Sequence, residues 1–280
     1  MLRTVTTVPE LRGLRAAAAG PVAFVPTMGA LHEGHLSLVE LARRRVGAEG
    51  TVVVSVFVNP AQFGPGEDFE RYPRTLSEDR ELLRGSCDVL FAPQTAEIYP
   101  QGTPGTTVRG GAAASILEGA HRPGHFDGML TIVCKLLNIV QPDLAVFGEK
   151  DAQQLFLVRA MVRDLDLPVE IVGAPTVREA DGLARSSRNA YLSGPERELA
   201  GALPRALAAA EQAAGAGAGA ALRAAAEALA AAGLEPDYLE LVDPDTFGPV
   251  PDGPAEGLLL LAVRLGSTRL IDNRRLRLGG

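Results

Sequence analysis

The sequence predicts an α/β protein with a doubly wound parallel sheet, followed by a smaller α+β domain. Apolar runs rich in β-branched residues recur through the first part of the chain, and segments with helical spacing lie between them. After about residue 180 the composition changes to a stretch rich in alanine and glycine. Near-continuous apolar strands that alternate with helices are typical of a parallel sheet covered by helices on both faces.

Five strands and five helices are predicted in the first domain. The strands are residues 21–27, 51–58, 87–93, 143–148 and 169–175, and the helices are residues 8–19, 35–47, 76–85, 128–140 and 151–167. In the last helix Leu155, Val158 and Val162 recur on one face, as packing against a sheet requires. Since ligands of such sheets bind beyond the carboxyl ends of the strands, we expect the functional residues in the loops that follow them.

The second domain is predicted to combine alanine-rich helices with a short sheet. Residues 196–233 have helical character, and the GAGAGA segment at 215–220 is interpreted as a turn between helices rather than a low-complexity linker. Residues 238–242, 258–263 and 269–271 are predicted strands. We therefore divide the chain into a first domain of residues 1–176 and a second domain of residues 177–280.

Charge, apolar run lengths and cysteine content argue against a nucleic-acid-binding protein, a membrane protein and a disulfide-bonded protein. The formal net charge is −7 over 280 residues and the basic residues are dispersed, so nucleic acid is not an expected partner. The longest apolar runs, 51–58 and 257–263, are far shorter than the roughly 20 residues that cross a bilayer. The N-terminus lacks the features of a secretory signal, so we expect a cytoplasmic location without membrane contact. Cys87 and Cys134 are expected to be reduced thiols without a catalytic or metal-binding role.

The first strand leads into a glycine- and histidine-rich loop and then a helix. His32 and His35 lie three residues apart on either side of Gly34. A helix start attracts a phosphate group, and two imidazoles can donate hydrogen bonds to the same oxyanion. The alternatives are a structural cap or a metal site, although the H-E-x-x-H spacing of zinc proteases and the G-x-G-x-x-G dinucleotide fingerprint are both absent from this loop.

Further polar residues follow the other strands. Asn59 and Gln62 suit the hydroxyl and carboxylate groups of a small substrate, and residues 64–75 have the composition of a mobile lid. Arg122 faces either substrate or solvent, in a segment that also holds His121 and His125.

Lys150 is one of only two lysines among the 27 basic residues, and its ammonium suits a polyphosphate. A second phosphate clamp is indicated by Arg185, Ser186, Ser187 and Arg188, although surface decoration is the alternative.

Five motifs in register resemble those of the pantothenate synthetases (pantoate:beta-alanine ligases), a branch of the HxGH nucleotidyl-transfer superfamily. They are His32-Glu33-Gly34-His35, residues 57–63, Tyr72-Pro73-Arg74, Gly148-Glu149-Lys150-Asp151 and Ser186-Ser187-Arg188-Asn189. The resemblance implies a Rossmann-like first domain, a smaller second domain and a homodimer. One departure is Arg185, where the family usually has methionine or leucine.

The resemblance also implies roles for individual residues. The catalytic group would be His32, His35, Lys150 and Arg188. Pantoate would be held by Met28, Gln62, Gln154, Asn59 and Arg122. ATP would be bound by Gly34, His35, Gly148, Lys150, Asp151, Val177, Ser186, Ser187 and Arg188. No metal site formed by protein side chains is expected.

The implied reaction joins pantoate to β-alanine through a pantoyl adenylate, with ATP as substrate and release of AMP and pyrophosphate. Mg²⁺ would be bound through the ATP phosphates, and the sequence leaves open whether Glu78 or Asp79 approaches it. One alternative is a nucleotidyltransferase that moves AMP onto a phosphate acceptor. Another is a non-catalytic module that senses nucleotide.

Overall fold

The computed structural model describes residues 2–67 and 69–279. The chain divides into two compact units: Met1–Glu149 with Gln153–Pro175, and Lys150–Ala152 with Thr176–Gly280. Relative to the division drawn from the sequence, residues 150–152 and 176 belong to the second unit.

The first unit contains a six-stranded sheet and seven helices in its described residues. Its strands are β1 (Arg3–Val5), β2 (Val22–Thr27), β3 (Thr51–Val56), β4 (Val89–Phe91), β5 (Leu144–Gly148) and β6 (Glu170–Ala174). Its helices are α1 (Val8–Ala17), α2 (Glu33–Val46), α3 (Leu76–Leu82), α4 (Thr95–Ile98), α5 (Glu118–His121), α6 (His125–Val140) and α7, which begins at Ala152 and continues to Asp164.

All pairings in this sheet are parallel, in the order β1-β4-β3-β2-β5-β6. The predicted doubly wound α/β fold is therefore confirmed. The sequence missed β1, because a three-residue strand with one buried residue has no measurable alternation. Burial on both faces explains why the central strands are almost continuously apolar. Strand β2, for example, buries its first four residues completely.

The strand order places a topological switch point between β2 and β5. From β2 the chain continues to β3 and β4 on one side, and from β5 it continues to β6 on the other. Connections that diverge in this way leave a crevice at the carboxyl ends of the two strands, which is where open α/β sheets bind ligands. The loop after Thr27 and the residues around Gly148 lie at that edge.

The second unit, in its described residues, contains a three-stranded antiparallel sheet and three helices. The strands are β7 (Pro236–Val242), β8 (Ala255–Leu265) and β9 (Thr268–Leu278), and the helices are α8 (Gly194–Ala200), α9 (Ala202–Ala213) and α10 (Ala218–Ala231). A single turn of 3-10 helix, Ala214–Ala216, and Gly217 separate α9 from α10, so the turn predicted at 215–220 is confirmed in its first half, while residues 218–220 begin α10. The strand predicted at 269–271 extends to 278, because charged side chains alternate with buried leucines along β9.

Within the described residues, no helix is both long and apolar enough to span a membrane. Cys87 and Cys134 are free thiols. Burial raises the pKa of the Cys87 thiol to about 12, so this thiol is inert at neutral pH.

Candidate active site

The loop between β2 and α2 is held by a buried carboxylate. Asp79 is 1% exposed and accepts hydrogen bonds from the backbone N–H groups of Ala30 (3.1 Å) and Leu31 (2.8 Å). A Cβ at Gly29, where φ is +86°, would lie 2.9 Å from Val56 Cγ1 and 3.0 Å from an Asp79 oxygen, so only glycine fits. Asp79 therefore fixes the conformation of this loop, which leads directly to the two histidines.

His32 and His35 cap the start of α2 with their ring nitrogens. His32 Nδ1 accepts from Gly34 N–H at 3.1 Å, and His35 Nδ1 accepts from His32 N–H at 3.3 Å. The ring centroids are 4.2 Å apart. Because each Nδ1 lone pair is engaged, the proton of each neutral imidazole resides on Nε2. Both rings are therefore hydrogen-bond donors at Nε2, beside the positive end of the helix dipole.

Capping also changes one expectation about this loop. The sequence predicts a phosphate at this helix start, and the Gly34 N–H, one of the N–H groups there, already donates to His32. Helix α2 begins at Glu33 rather than at residue 35, because His32 is itself the N-cap. An anion at this helix start would thus be recognised by the imidazoles and the dipole.

A chain of side chains fixes the amide of Gln62. Asn59, which is 1% exposed, donates from Nδ2 to Gln62 Oε1 at 3.1 Å and to Gly128 O at 3.2 Å. Its Oδ1 accepts from Ala61 N–H and from Tyr99 Oη, the latter at 2.8 Å. With Oε1 occupied, Gln62 offers its NH₂ group as a donor, and Nε2 lies 3.1 Å from Met28 Sδ. A group recognised by Gln62 must therefore be an acceptor, such as a carboxylate or hydroxyl oxygen.

The same region contains close backbone contact between α6 and the turn that carries Gln62. A Cβ at Gly128 would lie 2.0 Å from the carbonyl oxygen of Ala61, so glycine is required for this approach. The helix predicted from residue 128 begins at His125. His125 is consequently the first residue of a helix rather than part of a loop, and His121 ends the short helix α5.

Arg122 is held by an acidic side chain of the segment predicted as a lid. Its Nε and Nη2 lie 2.8 and 2.7 Å from the two carboxylate oxygens of Glu67, and each side chain is about one-fifth exposed. Burial opposes ionisation of Glu67, but the hydrogen bonds and charge of Arg122 outweigh it and lower the pKa of that carboxyl. On its other side Arg122 Nη1 lies 3.1 Å from His125 Nε2.

The lid segment itself packs through aromatic rings. Phe63 makes edge contacts with Phe69 at 5.4 Å and with Tyr72 at 6.0 Å between centroids. Part of the predicted 64–75 segment, Asp68, lies outside the described residues.

Two neighbouring glutamines after β5 have different environments. Gln153 is 5% exposed, donates to the carbonyl oxygens of Ala113 and Ile116, and accepts from Glu118 N–H. Gln154, the residue predicted to bind substrate, is half-buried. The structure therefore gives Gln153 a supporting role for the 113–118 segment and leaves Gln154 as the candidate for ligand binding, along with half-buried Gly148.

In the second unit, two neighbouring residues of strand β9 bind the backbone of Lys150 and the side chain of Arg178. Arg178 precedes the loop of residues 185–189, called the serine-arginine loop below. Asn273 Nδ2 donates to the Lys150 carbonyl oxygen at 2.8 Å. The adjacent Asp272, which is 2% exposed, accepts two hydrogen bonds from Arg178 at 2.7 and 2.9 Å. Arg178 also donates to the Asn273 carbonyl oxygen at 3.2 Å. The backbone of Lys150 and the segment after Val177 are thus attached to neighbouring residues of one strand.

The serine-arginine loop is a turn of 3-10 helix supported by charged side chains. Ser186 caps it by accepting from Arg188 N–H at 3.2 Å. Asn189 donates to Glu179 at 2.9 Å, and Arg197 pairs with Glu179 at 2.7 Å. Burial opposes ionisation of Glu179, yet these two partners outweigh it and lower the pKa of its carboxyl. Ser187 and Asp151 also lie in short 3-10 turns of this unit, and Arg185 N–H donates to the Val177 carbonyl oxygen.

The first unit therefore brings together Met28, Asn59 and Gln62, and the second unit links Lys150 to the segment that leads into the serine-arginine loop. The sequence did not single out Tyr99, Asp272 or Asn273 as site residues. No local pattern could have found them, because each acts through a contact with a distant part of the chain. Across residues 2–67 and 69–279, no group of three or more His, Cys, Asp or Glu side chains is arranged to hold a metal ion.

Sequence comparison gives a consistent result over almost the whole chain. A profile of the family described as Pantoate-beta-alanine ligase matches residues 2–275. The pantothenate synthetase of Acidothermus cellulolyticus is 54% identical over 278 residues, covering 97% of this chain and 90% of that protein. The pantothenate synthetase of Pseudomonas aeruginosa is 52% identical over 280 residues, covering 97% and 98%.

Structural comparison agrees. A crystal structure of the pantothenate synthetase from Thermus thermophilus matches with a TM-score of 0.91 and 54% identity, covering 98% of this chain and 99% of that chain. The pantoate-beta-alanine ligase from Francisella tularensis, complexed with beta-gamma ATP and beta-alanine, matches with a TM-score of 0.81 and 33% identity, covering 98% and 97%. The chain therefore belongs to the pantoate-beta-alanine ligase family of enzymes.

Proposed function

We propose that this enzyme condenses pantoate with β-alanine to pantothenate, through a pantoyl adenylate and with consumption of ATP. The observation that carries the proposal is the pair of imidazoles at the start of α2, both protonated at Nε2 when neutral. This is a donor pair for an oxyanion on which charge increases during reaction. The Francisella tularensis relative, whose complex contains beta-gamma ATP and beta-alanine, supports the choice of substrates.

The proposed reaction has two steps. First, a carboxylate oxygen of pantoate attacks the α-phosphorus of ATP, and the bond from that phosphorus to the bridging oxygen of pyrophosphate breaks. Second, the neutral amine of β-alanine attacks the acyl carbon, the bond to the AMP oxygen breaks, and the amine loses a proton to solvent. Positioning of the two anions and stabilisation of the leaving pyrophosphate would supply most of the acceleration.

Residues of the first unit are proposed to bind pantoate and part of ATP. The Gln62 amide, fixed as a donor by Asn59, would meet a pantoate oxygen, and Met28, Gln154 and Arg122 would complete that pocket. Asn59, being 1% exposed, would contribute through Gln62. His32 and His35 would donate to the ATP phosphates, while Gly34 and Gly148 would border the nucleotide.

Residues of the second unit are proposed to neutralise phosphate charge. Lys150, whose backbone is held by Asn273, would stabilise the reacting phosphate. Ser186, Ser187 and Arg188 would bind the β- and γ-phosphates, while Asp151 and Val177 would contact adenosine. Mg²⁺ would arrive with the ATP phosphates, where it would neutralise their charge.

Two broader properties are proposed from the family resemblance. We expect the enzyme to be a homodimer and to act in the cytoplasm. Size-exclusion chromatography with light scattering checks the dimer, because a monomer would elute with the 29.3 kDa mass of one chain.

The function is tested by isotope exchange between pyrophosphate and ATP. Exchange should require pantoate, and free AMP should appear only after β-alanine is added. Transfer of AMP to a phosphate acceptor would instead support the nucleotidyltransferase alternative. ATP binding without exchange under any of these conditions would support a nucleotide-sensing module and exclude the proposed ligation.

A further inference from the structure

We propose that His125 is a positioning residue that fixes the Gln62 backbone and the Arg122 guanidinium, which belong to two residues assigned above to the pantoate pocket. The inference rests on the proposed function, because it gives His125 a part in pantoate binding. It adds a residue that the motifs do not include and that would act without touching the substrate.

The hydrogen bonds of His125 determine its tautomer. Nδ1 lies 2.8 Å from the Gln62 carbonyl oxygen, and a carbonyl only accepts, so Nδ1 carries the proton. Nε2 then holds a lone pair, which accepts from Arg122 Nη1 at 3.1 Å. Because a guanidinium only donates, both partners require the same neutral form of the ring.

The surrounding charges are consistent with that neutral form. Partial burial, reinforced by the charge of Arg122, lowers the pKa of His125 to about 4, although the hydrogen bond to the Gln62 backbone and the charges of Glu67 and Glu118 act in the opposite direction. The imidazole therefore stays neutral throughout the range in which an ordinary histidine titrates. Its two hydrogen bonds do not change as the pH varies around neutrality.

Arg122 is consequently fixed from two sides. Glu67 engages Nε and Nη2, and His125 engages Nη1, so these contacts use three of the five N–H groups of a guanidinium. Without His125, Nη1 would lose this partner, and of these contacts only the pair with Glu67 would position Arg122. Gln62 would at the same time lose the partner of its backbone carbonyl oxygen while its side chain remained bound to Asn59.

Three substitutions separate the two hydrogen bonds. His125→Ala removes both, His125→Asn retains an amide donor near the position of Nδ1, and His125→Gln places an amide oxygen near the position of Nε2. In pantoate-dependent exchange we expect His125→Ala to raise KM for pantoate about 10-fold, with KM for ATP unchanged. The Asn and Gln variants should each recover part of that loss.

His121→Ala is the matched control, since this histidine is exposed in the same segment. It should leave both KM values unchanged. A second readout is the imidazole ¹⁵N spectrum of the wild-type protein, which should show a proton on Nδ1 of His125 and no titration from about pH 5 to 8.

Three results would overturn the inference. They are an unchanged KM for pantoate in His125→Ala, an equal rise of both KM values in all three variants, and a His125 proton located on Nε2. Failure of the proposed function gives a different result, because the wild-type protein would then show no pantoate-dependent exchange at all.

Discussion

His32 and His35 each accept a hydrogen bond from a backbone N–H at Nδ1. The hydrogen bond that each neutral ring can donate to a ligand therefore comes from Nε2. This arrangement has two consequences at the residue scale. The neutral ring is already a donor, so it does not need to be charged to stabilise an oxyanion. Replacement of either ring also removes a cap of α2, so stability and rate must be measured separately.

Substitution of His35 tests the donor role. His35→Ala should lower the rate of adenylate formation by roughly 10²- to 10³-fold, the usual cost of one oxyanion donor. His35→Gln should recover part of that rate, because its amide NH₂ can reach the position of Nε2. The rate is measured as pyrophosphate release in a single turnover, and an unchanged rate in His35→Ala would contradict the assignment.

Lys150 supplies the second test at this scale. Lys150→Ala should bind ATP but lose roughly 10²- to 10³-fold in turnover, because a fixed positive charge beside the reacting phosphate is removed. Isothermal titration with ATP and steady-state assays measure the two properties. Near-normal turnover would remove Lys150 from the mechanism.

The sequence could identify these residues because they are polar and follow predicted strands. It could not separate residues that meet a ligand from those that support them. Asn59 and Gln62 look alike in the sequence, yet Asn59 is 1% exposed and uses its amide to bind four internal partners. Gln153 is likewise buried and bound to internal partners, whereas Gln154 is half-buried.

At the scale of elements, the start of α2 depends on a tight loop between two parallel strands. Thr27 and Val56, the last residues of β2 and β3, are register partners. Gly29 lies against Val56 and Asp79, and Asp79 of α3 holds the next two N–H groups. The position of His32 is therefore set by β3 and α3 as much as by its own segment.

Gly29→Ala tests this dependence, and Gly85→Ala is its matched control. Both glycines have φ of +86°, but a Cβ at Gly85 meets nothing within 4 Å. The control should cost only the backbone strain, about 1 to 2 kcal/mol. Gly29→Ala should lower Tm further and also reduce adenylate formation. Equal Tm and equal activity for the two variants would show that the close contact at Gly29 does not matter.

The predicted starts of two helices also differ from the observed ones. Helices α2 and α6 begin two and three residues earlier than their predicted starts at 35 and 128. In both cases a histidine and a glycine lie at the boundary. The pattern of apolar residues that predicts a helix does not extend to its first turn, where capping decides the start.

At the scale of the whole molecule, the sequence predicted the class of both folds but not the long-range contacts that support the site. Asp272 binds Arg178 across 94 residues, and Asn273 binds Lys150 across 123 residues. These contacts depend on the register of β9 against β8, which the alternation of side chains alone does not specify. The predicted strand at 269–271 ended before both residues.

Stability should depend on pH through His125. Its pKa is about 4 in the folded protein and 6.5 in a model peptide, so the unfolded chain binds the extra proton between these values. The neutral ring thus makes its full contribution to the free energy of unfolding above pH 6.5. Up to about 3 kcal/mol of that free energy is lost as the pH falls toward 4. Urea midpoints should fall over this window in the wild-type protein and in His121→Ala, but less steeply in His125→Gln. Equal slopes in all three proteins would contradict the assignment.

The formation of a pantoyl adenylate is tested most directly by the fate of carboxylate oxygen. Pantoate labelled with ¹⁸O in its carboxylate is incubated with the enzyme, ATP and β-alanine, and the products are analysed by mass spectrometry. Attack on the α-phosphorus followed by cleavage of the acyl–oxygen bond predicts one ¹⁸O atom in AMP and unlabelled pyrophosphate. Unlabelled AMP, with the departing ¹⁸O atom found in another phosphate product or in water, would contradict the account.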